Sequence, residues 1–170
     1  MNEPTVYKNY FENYTSLVPE QNVLDAFTNQ SKALANFLSS VSEEKAIYAY
    51  AEGKWSLKEM LQHIIDTERI FAYRALCIAR QETATLPGFD ENLYADNSAA
   101  NKRTWADLVH EMKIVRESTL LLFGSFTETM LSHAGNFSSA SATPHTIGLI
   151  IIGHFYHHVK IANERYLTNA

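Results

Sequence analysis

Residues 150–161 read Ile-Ile-Ile-Gly-His-Phe-Tyr-His-His-Val-Lys-Ile and place two histidines, His154 and His158, four positions apart. On an α-helix such a pair shares one face, with β-carbons about 6 Å apart, so both imidazoles can turn towards one ion. A third histidine, His63, stands in an earlier helical pattern that begins at Trp55. A ring from that second helix would complete a facial set of three nitrogen ligands.

The histidine pair lies on an apolar helix face. The residues of this face recur at steps of four and three, which is the spacing of a helix face that packs in a core. They are Ile147, Ile151, His154, His158, Ile161 and Arg165. His157 is one position off this row and should point elsewhere. Two buried imidazoles need partners for their nitrogens, and either hydrogen bonds or a metal would supply them. The spacing alone leaves both interpretations open.

Periodic apolar residues predict four helices, over about residues 20–40, over 56–82, from Thr104 onward, and over 144–167. Typical capping residues stand at their starts: Pro19, Ser56 with Glu59, Thr104 with Asp107, and Thr143 with Pro144. No segment alternates apolar and polar residues for long enough to predict a sheet. We therefore expect one all-α domain over residues 1–170, a four-helix bundle.

The second and third helices are joined by a long connection. Residues 84–103 lack helical periodicity. Extended, twenty residues span up to about 66 Å, whereas a helix of that length is about 30 Å long, so the chain can cross the bundle and leave these helices parallel. The turn at residues 87–90 and Tyr94 could form a pocket wall over the histidines. The alternative is a simple crossover whose aromatic side chains pack on the surface. Residues 125–142, rich in Ser, Gly, Ala and Asn, predict a second irregular link.

Composition excludes several classes of protein. The net charge of -5 argues against a nucleic-acid partner, because phosphate binding requires a concentrated basic face. No apolar run is long enough to cross a membrane and no leader is recognisable, so we expect a cytoplasmic protein.

The single cysteine, Cys77, lies in an apolar helical pattern and is interpreted as a packed thiol. Four N-terminal aromatics are predicted to cover one end of the bundle, or to form a homodimer contact: Tyr7, Tyr10, Phe11 and Tyr14.

Three short motifs, in this order and separation, resemble the DinB-like (YfiT-like) family of metal-dependent enzymes. They are Trp55-Ser56-Leu57-Lys58-Glu59 leading to His63, then Asp66-Thr67-Glu68-Arg69, and finally His154-Phe155-Tyr156-His157-His158. The resemblance covers residues from about 23 to 166. It implies an up-down-down-up helix order, and it implies that His63, His154 and His158 hold one divalent metal ion inside the bundle.

Such a site constrains the chemistry more than the substrate. Neutral imidazoles suit zinc or nickel best here, with iron as a further candidate, and three ligands leave a position open for water or substrate. The resemblance implies a small-molecule substrate and either hydrolysis or transfer to a low-molecular-weight thiol. The alternative is a non-catalytic metal-binding or stress-related module with the same histidines.

Two carboxylates in the sequence, and two positions at which a glutamate is absent, refine this hypothesis. Asp66 and Glu68 are candidates to orient a ligand histidine. For each, a solvated position or an ion pair is an equally good explanation. The ion-pair partner of Glu68 would be an arginine such as Arg69, Arg74 or Arg165. A thermolysin-like protease needs glutamate directly after the first histidine, where this chain has Phe155. A di-iron bundle needs glutamate three residues before it, where Ile151 stands.

Overall fold

The computed structural model describes residues 11–138 and 140–167 and is dominated by four long helices. These are α1 (Val23–Ser40), α3 (Leu57–Ala79), α5 (Trp105–Gly124) and α7 (Pro144–Arg165). Shorter elements join them: α2 (Glu43–Ala46), α4 (Glu91–Asn97), a 3-10 helix (Ala100–Lys102), α6 (Glu128–Ser132), β1 (Gly135–Phe137) and β2 (Ala140–Ala142). Within the described residues, none of the helices has the length and apolar character that a bilayer span requires.

The predicted caps set the starts of three long helices. The Ser56 hydroxyl accepts a hydrogen bond from the Glu59 amide at 3.1 Å, and the Glu59 carboxylate accepts one from the Ser56 amide at 2.8 Å, which completes the capping box. At the starts of α5 and α7, the Thr104 and Thr143 hydroxyls accept hydrogen bonds from the amides of Asp107 and Thr146. The first helix differs from the prediction, because Asn22 caps it and it begins at Val23.

Contacts near the helix ends show the directions of α3, α5 and α7. Lys58 Nζ donates to the Arg103 carbonyl at 2.6 Å, so α3 and α5 start at the same end of the bundle and run parallel. The Tyr166 hydroxyl, just past the end of α7, donates to the Trp55 carbonyl at 2.7 Å, just before the start of α3. The helix that carries His63 is therefore antiparallel to the helix that carries the other two histidines.

The first long helix occupies the corner opposite α3, and both helices pack against α5 and α7. Trp105 Nε1, at the start of α5, donates to the carbonyl of Leu38, near the end of α1, at 3.1 Å, so these two helices are antiparallel. The His145 ring, at the start of α7, lies 2.8 Å from the carbonyl of Gln21, just before α1. The predicted up-down-down-up order is confirmed, and residues 80–104 form the long crossover.

The two connections are more regular than predicted. The crossover contains α4, capped by the Asp90 carboxylate, as well as the 3-10 helix. Within the second connection β1 and β2 form an antiparallel hairpin, and Leu86 of the crossover pairs with Phe137 of β1. The expectation of irregular structure was wrong here because elements of three to seven residues are too short to display a periodic apolar pattern.

Candidate metal centre

The structure brings the three predicted histidines together. His63 projects from α3, whereas His154 and His158 project from α7, one turn apart. The Nε2 atom of His154 lies 3.0 Å from Nε2 of His63 and 3.0 Å from Nε2 of His158. The candidate ligand atoms of the cluster all lie within 4.8 Å of one another, and all three residues are buried.

Hydrogen bonding alone does not account for this arrangement. A neutral imidazole nitrogen either carries one hydrogen or offers one lone pair, so Nε2 of His154 makes one good hydrogen bond at a time. It nevertheless has two nitrogen neighbours at 3.0 Å. A cation placed between the rings would use the lone pairs of all three nitrogens at once.

Two of the three nitrogen separations fit a shared metal ion. When two nitrogens each lie about 2.0–2.1 Å from a zinc ion, and the angle between the two bonds is between a right angle and the tetrahedral angle, the nitrogens are about 2.9–3.4 Å apart. The His63–His154 and His154–His158 separations of 3.0 Å fall in this interval, and the ligand atoms of the third pair lie within 4.8 Å. Three rings from two helices also leave at least one coordination position free for a non-protein ligand.

Burial keeps the rings in the form that binds metals. Loss of hydration lowers the pKa of His63 to about 4, and the nearby His157 lowers it further. Burial, followed by neighbouring histidines, lowers the pKa values of His154 and His158 well below the usual 6.5. All three imidazoles are therefore neutral at pH 7, with lone pairs available for coordination.

Aromatic side chains surround the cluster. The indole of Trp55 lies 4.8 Å from the His63 ring, and the Tyr14 ring packs edge-on against His154 at 5.4 Å. His157 is half-buried, does not join the cluster and contacts Tyr14 at 5.5 Å, as its position off the apolar row predicts. These rings limit the access of water to the three nitrogens.

Two of the N-terminal aromatics, Phe11 and Tyr14, have a different place from the one predicted. Tyr7 and Tyr10 lie outside the described residues. Phe11 packs against Phe71 and Phe137, and Tyr14 lies beside the histidines, so this segment runs along the side of the bundle instead of closing an end. It forms part of the wall of the site.

Neither carboxylate proposed as a partner of a ligand histidine hydrogen-bonds to one in the described structure. Glu68 is buried in an ion pair, with both carboxylate oxygens 2.9 Å from nitrogens of Arg116, an arginine that the sequence did not suggest. Asp66 accepts a hydrogen bond from Gln62 at 2.9 Å and lies 4.0 Å from Arg69. The second nitrogen of His158, Nδ1, is buried and has no hydrogen-bond partner among residues 11–138 and 140–167.

The Glu68 ion pair instead fixes the helix that carries two of the histidines. Arg116 also donates to the Gln30 side chain, and Gln30 Nε2 donates to the Ile152 carbonyl at 2.8 Å. One buried network thus links all four long helices and reaches α7 two residues before His154. Sequence reasoning missed it because its members are spread from the first helix to the fourth.

The crossover does not cover the histidines with the predicted residues. The Pro87 carbonyl accepts a hydrogen bond from Arg74, and the Phe89 ring packs against Tyr94 at 5.3 Å. Tyr94 lines an open depression together with Asp66, Leu93, Asn97 and Ser98. Cys77 is half-buried against the apolar core, as predicted.

Comparison with known families identifies the fold. The family model described as the DinB superfamily matches residues 26–162. The chain belongs to this superfamily. Among solved structures it is similar to YfiT from Bacillus subtilis, described as a probable metal-dependent hydrolase with an unusual four-helix bundle topology. The TM-score is 0.70, with 13% sequence identity over 96% of this chain and 90% of YfiT. A comparison with curated proteins finds no match.

Proposed function

We propose that this protein is a metal-dependent enzyme acting on small molecules, in which His63, His154 and His158 hold one divalent ion through their Nε2 atoms. The observation that carries the proposal is the approach of Nε2 of His154 to 3.0 Å from Nε2 of both His63 and His158, in a buried, neutral cluster. YfiT, which shares the fold, is described as a probable hydrolase, and hydrolysis is our first candidate reaction. Transfer to a low-molecular-weight thiol is the second.

The ion, when bound, supplies a Lewis acid that polarises a substrate or acidifies a water or thiol. The chain's own residues do the rest. The three neutral rings would leave the charge of the cation undiminished, and this favours binding of an anionic nucleophile. Imidazole ligands suit zinc and nickel. Trp55 and Tyr14 lower the polarity beside the rings, and this strengthens electrostatic interactions there.

The proposal is tested by measuring turnover in metal-free protein and in protein loaded with zinc or with nickel, produced without a histidine tag. Simple esters, simple amides and the reaction of small thiols with electrophiles are the substrates. We expect turnover only with metal. Loaded protein that binds one ion through the cluster and turns over none of these compounds would favour the alternative, a non-catalytic metal-binding module.

A further inference from the structure

Arg74 is a buried cation outside the histidine cluster. It lies on α3, eleven residues beyond His63, which is about three turns and about 16 Å along the same helix face. Only 4% of its surface is exposed. The site that surrounds it is formed by α3, by the crossover and by β1, and it takes no part in the proposed metal chemistry.

The guanidinium group of Arg74 is held between aromatic rings. Its central carbon lies 4.6 Å from the ring centre of Phe137, 4.9 Å from that of Phe71 and 5.8 Å from that of Phe89. Nη2 donates to the Pro87 carbonyl at 2.7 Å. This is the one hydrogen bond of Arg74 within the described part of the chain, and no carboxylate there lies within 4.0 Å of it. Nε and Nη1 have no hydrogen-bond partner among the described residues and are not fully enclosed. Each of them forms one edge of the planar group together with Nη2.

Arg116 is a second buried arginine, and its contacts provide a comparison for Arg74. It is as buried as Arg74, but Glu68 contacts it with both carboxylate oxygens and Gln30 accepts a third hydrogen bond. A buried charge without a counter-ion costs several kcal/mol, and ring contacts, at about 0.5–2 kcal/mol, provide no acceptor for its N–H groups. Within the described part of the chain, Arg74 therefore lacks an anion such as the one that Arg116 has.

We infer that Arg74 is a binding site for the carboxylate of a small molecule. A carboxylate matches a planar pair of guanidinium donors, Nη2 with Nε or Nη2 with Nη1, and its single negative charge neutralises the single positive charge. A phosphate dianion would leave excess negative charge against the faces of three aromatic rings, which are themselves electron-rich. The inference concerns a second site and does not require metal at the first.

The test is thermal unfolding of the metal-free protein in increasing acetate, with ionic strength held constant by chloride. At about ten times the dissociation constant of acetate, we expect the midpoint to rise by about 3–6 °C in the wild type. Arg74→Gln should show no rise. Arg80→Gln is the matched control, because Arg80 also lies over an aromatic ring but is exposed, and this variant should respond as the wild type does.

An equal rise in Arg74→Gln, or no rise in the wild type at any acetate concentration, would overturn the inference. A parallel titration with inorganic phosphate tests the choice of ligand, and a larger rise with phosphate than with acetate would overturn the assignment to carboxylates. If Arg74→Gln does not fold, the Nε–H resonance of Arg74 in the wild type gives the answer. We expect acetate to shift it in a saturable manner, and a resonance that does not move would count against the site.

Discussion

At the scale of single residues, the difference between the two histidines that follow Tyr156 is instructive. His158 points into the cluster, whereas His157, its neighbour, lies half-buried outside it. The helical repeat alone accounts for this, because adjacent residues differ by about 100° around the helix axis. The same sequence motif therefore offers both a test of the metal site and its control.

We predict that His158→Ala loses the bound metal, because two remaining rings no longer surround the ion. The affinity for zinc should fall at least about a hundredfold, while far-ultraviolet circular dichroism stays that of a helical bundle. His157→Ala should keep full metal content. Elemental analysis of both variants, purified without added metal, measures the metal content. Full retention of metal by His158→Ala would rule out the proposed site.

Glu68 and Asp66 are predicted to differ sharply, although both were candidates for the same role. Glu68→Gln leaves Arg116 buried without its anion and should destabilise the fold by about 3–5 kcal/mol. Asp66→Asn should cost less than about 1 kcal/mol, because the ion pair of Asp66 with Arg69 is long and half-exposed. Urea denaturation measures both. Similar stabilities for the two variants would show that the Glu68–Arg116 pair is not the main polar contact of the core.

Spacing alone was sufficient for residues that are close along the chain, whereas the place of His63 followed only from the family resemblance and the remote partner of Glu68 was not predicted. His154 and His158 are related by the helical repeat, and their common face followed from spacing alone. Glu68 was a candidate for an ion pair, but nothing in the sequence selects Arg116 over other arginines, since the choice depends on how α3 and α5 pack. The contact of Tyr14 with His154 is hidden for the same reason.

At the scale of secondary-structure elements, α7 carries two histidines and also accepts the N-terminal segment. Gly153, directly before His154, faces the backbone of Tyr14, and a β-carbon at this position would overlap with the Tyr14 carbonyl. The glycine therefore permits the close approach that puts the Tyr14 ring against the cluster.

We predict that Gly153→Ala displaces residues 11–15 from α7 and costs about 1–3 kcal/mol through overpacking. Gly124→Ala, at the end of α5, is the control, because nothing lies within 4 Å of the added carbon. That variant should be neutral or stabilised by up to about 1 kcal/mol. Limited proteolysis of the N-terminal segment, together with thermal unfolding, compares them. Equal protection of the segment in both variants would contradict the proposed contact.

Long helices with a capping residue at the start could be predicted from the sequence, whereas short elements could not. Ser56, Thr104 and Thr143 mark helix starts because each side chain accepts a hydrogen bond from an unpaired amide of the first turn. The helix α4 begins with Asp90, a residue of the same kind, but is too short for a periodic pattern to draw attention to it. The hairpin of three-residue strands was missed for the same physical reason.

At the scale of the whole molecule, the neutral histidines make stability depend on pH. The pKa of His63 is about 4 in the folded protein and about 6.5 when the ring is exposed. Between these values the unfolded chain binds a proton that the folded chain does not, so acid favours unfolding. The contribution of the neutral ring is complete above pH 6.5 and is lost as the pH falls towards 4.

We therefore predict that metal-free protein loses stability as the pH is lowered from about 6.5 to 4, with His63 accounting for up to about 3 kcal/mol. Urea denaturation at a series of pH values, in the presence of a chelator, measures this loss. His63→Gln should reduce the dependence, and the part that remains should come from His154 and His158. A wild-type curve as flat as that of His63→Gln would contradict the prediction.

The bundle is also predicted to gain stability from metal. A ligand that binds only the folded state raises the free energy of unfolding by mass action, and the three nitrogens converge only in the folded chain. Adding chelator to the loaded protein at pH 7 should lower the melting temperature, by several degrees at metal concentrations far above the dissociation constant. Coincident melting curves with and without chelator would argue against a folded-state metal site.

The most direct test of the central claim is X-ray absorption at the metal edge of protein loaded with one equivalent of zinc. We predict a first shell that includes three imidazole nitrogens at about 2.0–2.1 Å in the wild type, and fewer in His63→Ala. A spectrum that shows sulfur or mainly carboxylate oxygen as ligands, or that is unchanged in His63→Ala, would contradict coordination by His63, His154 and His158.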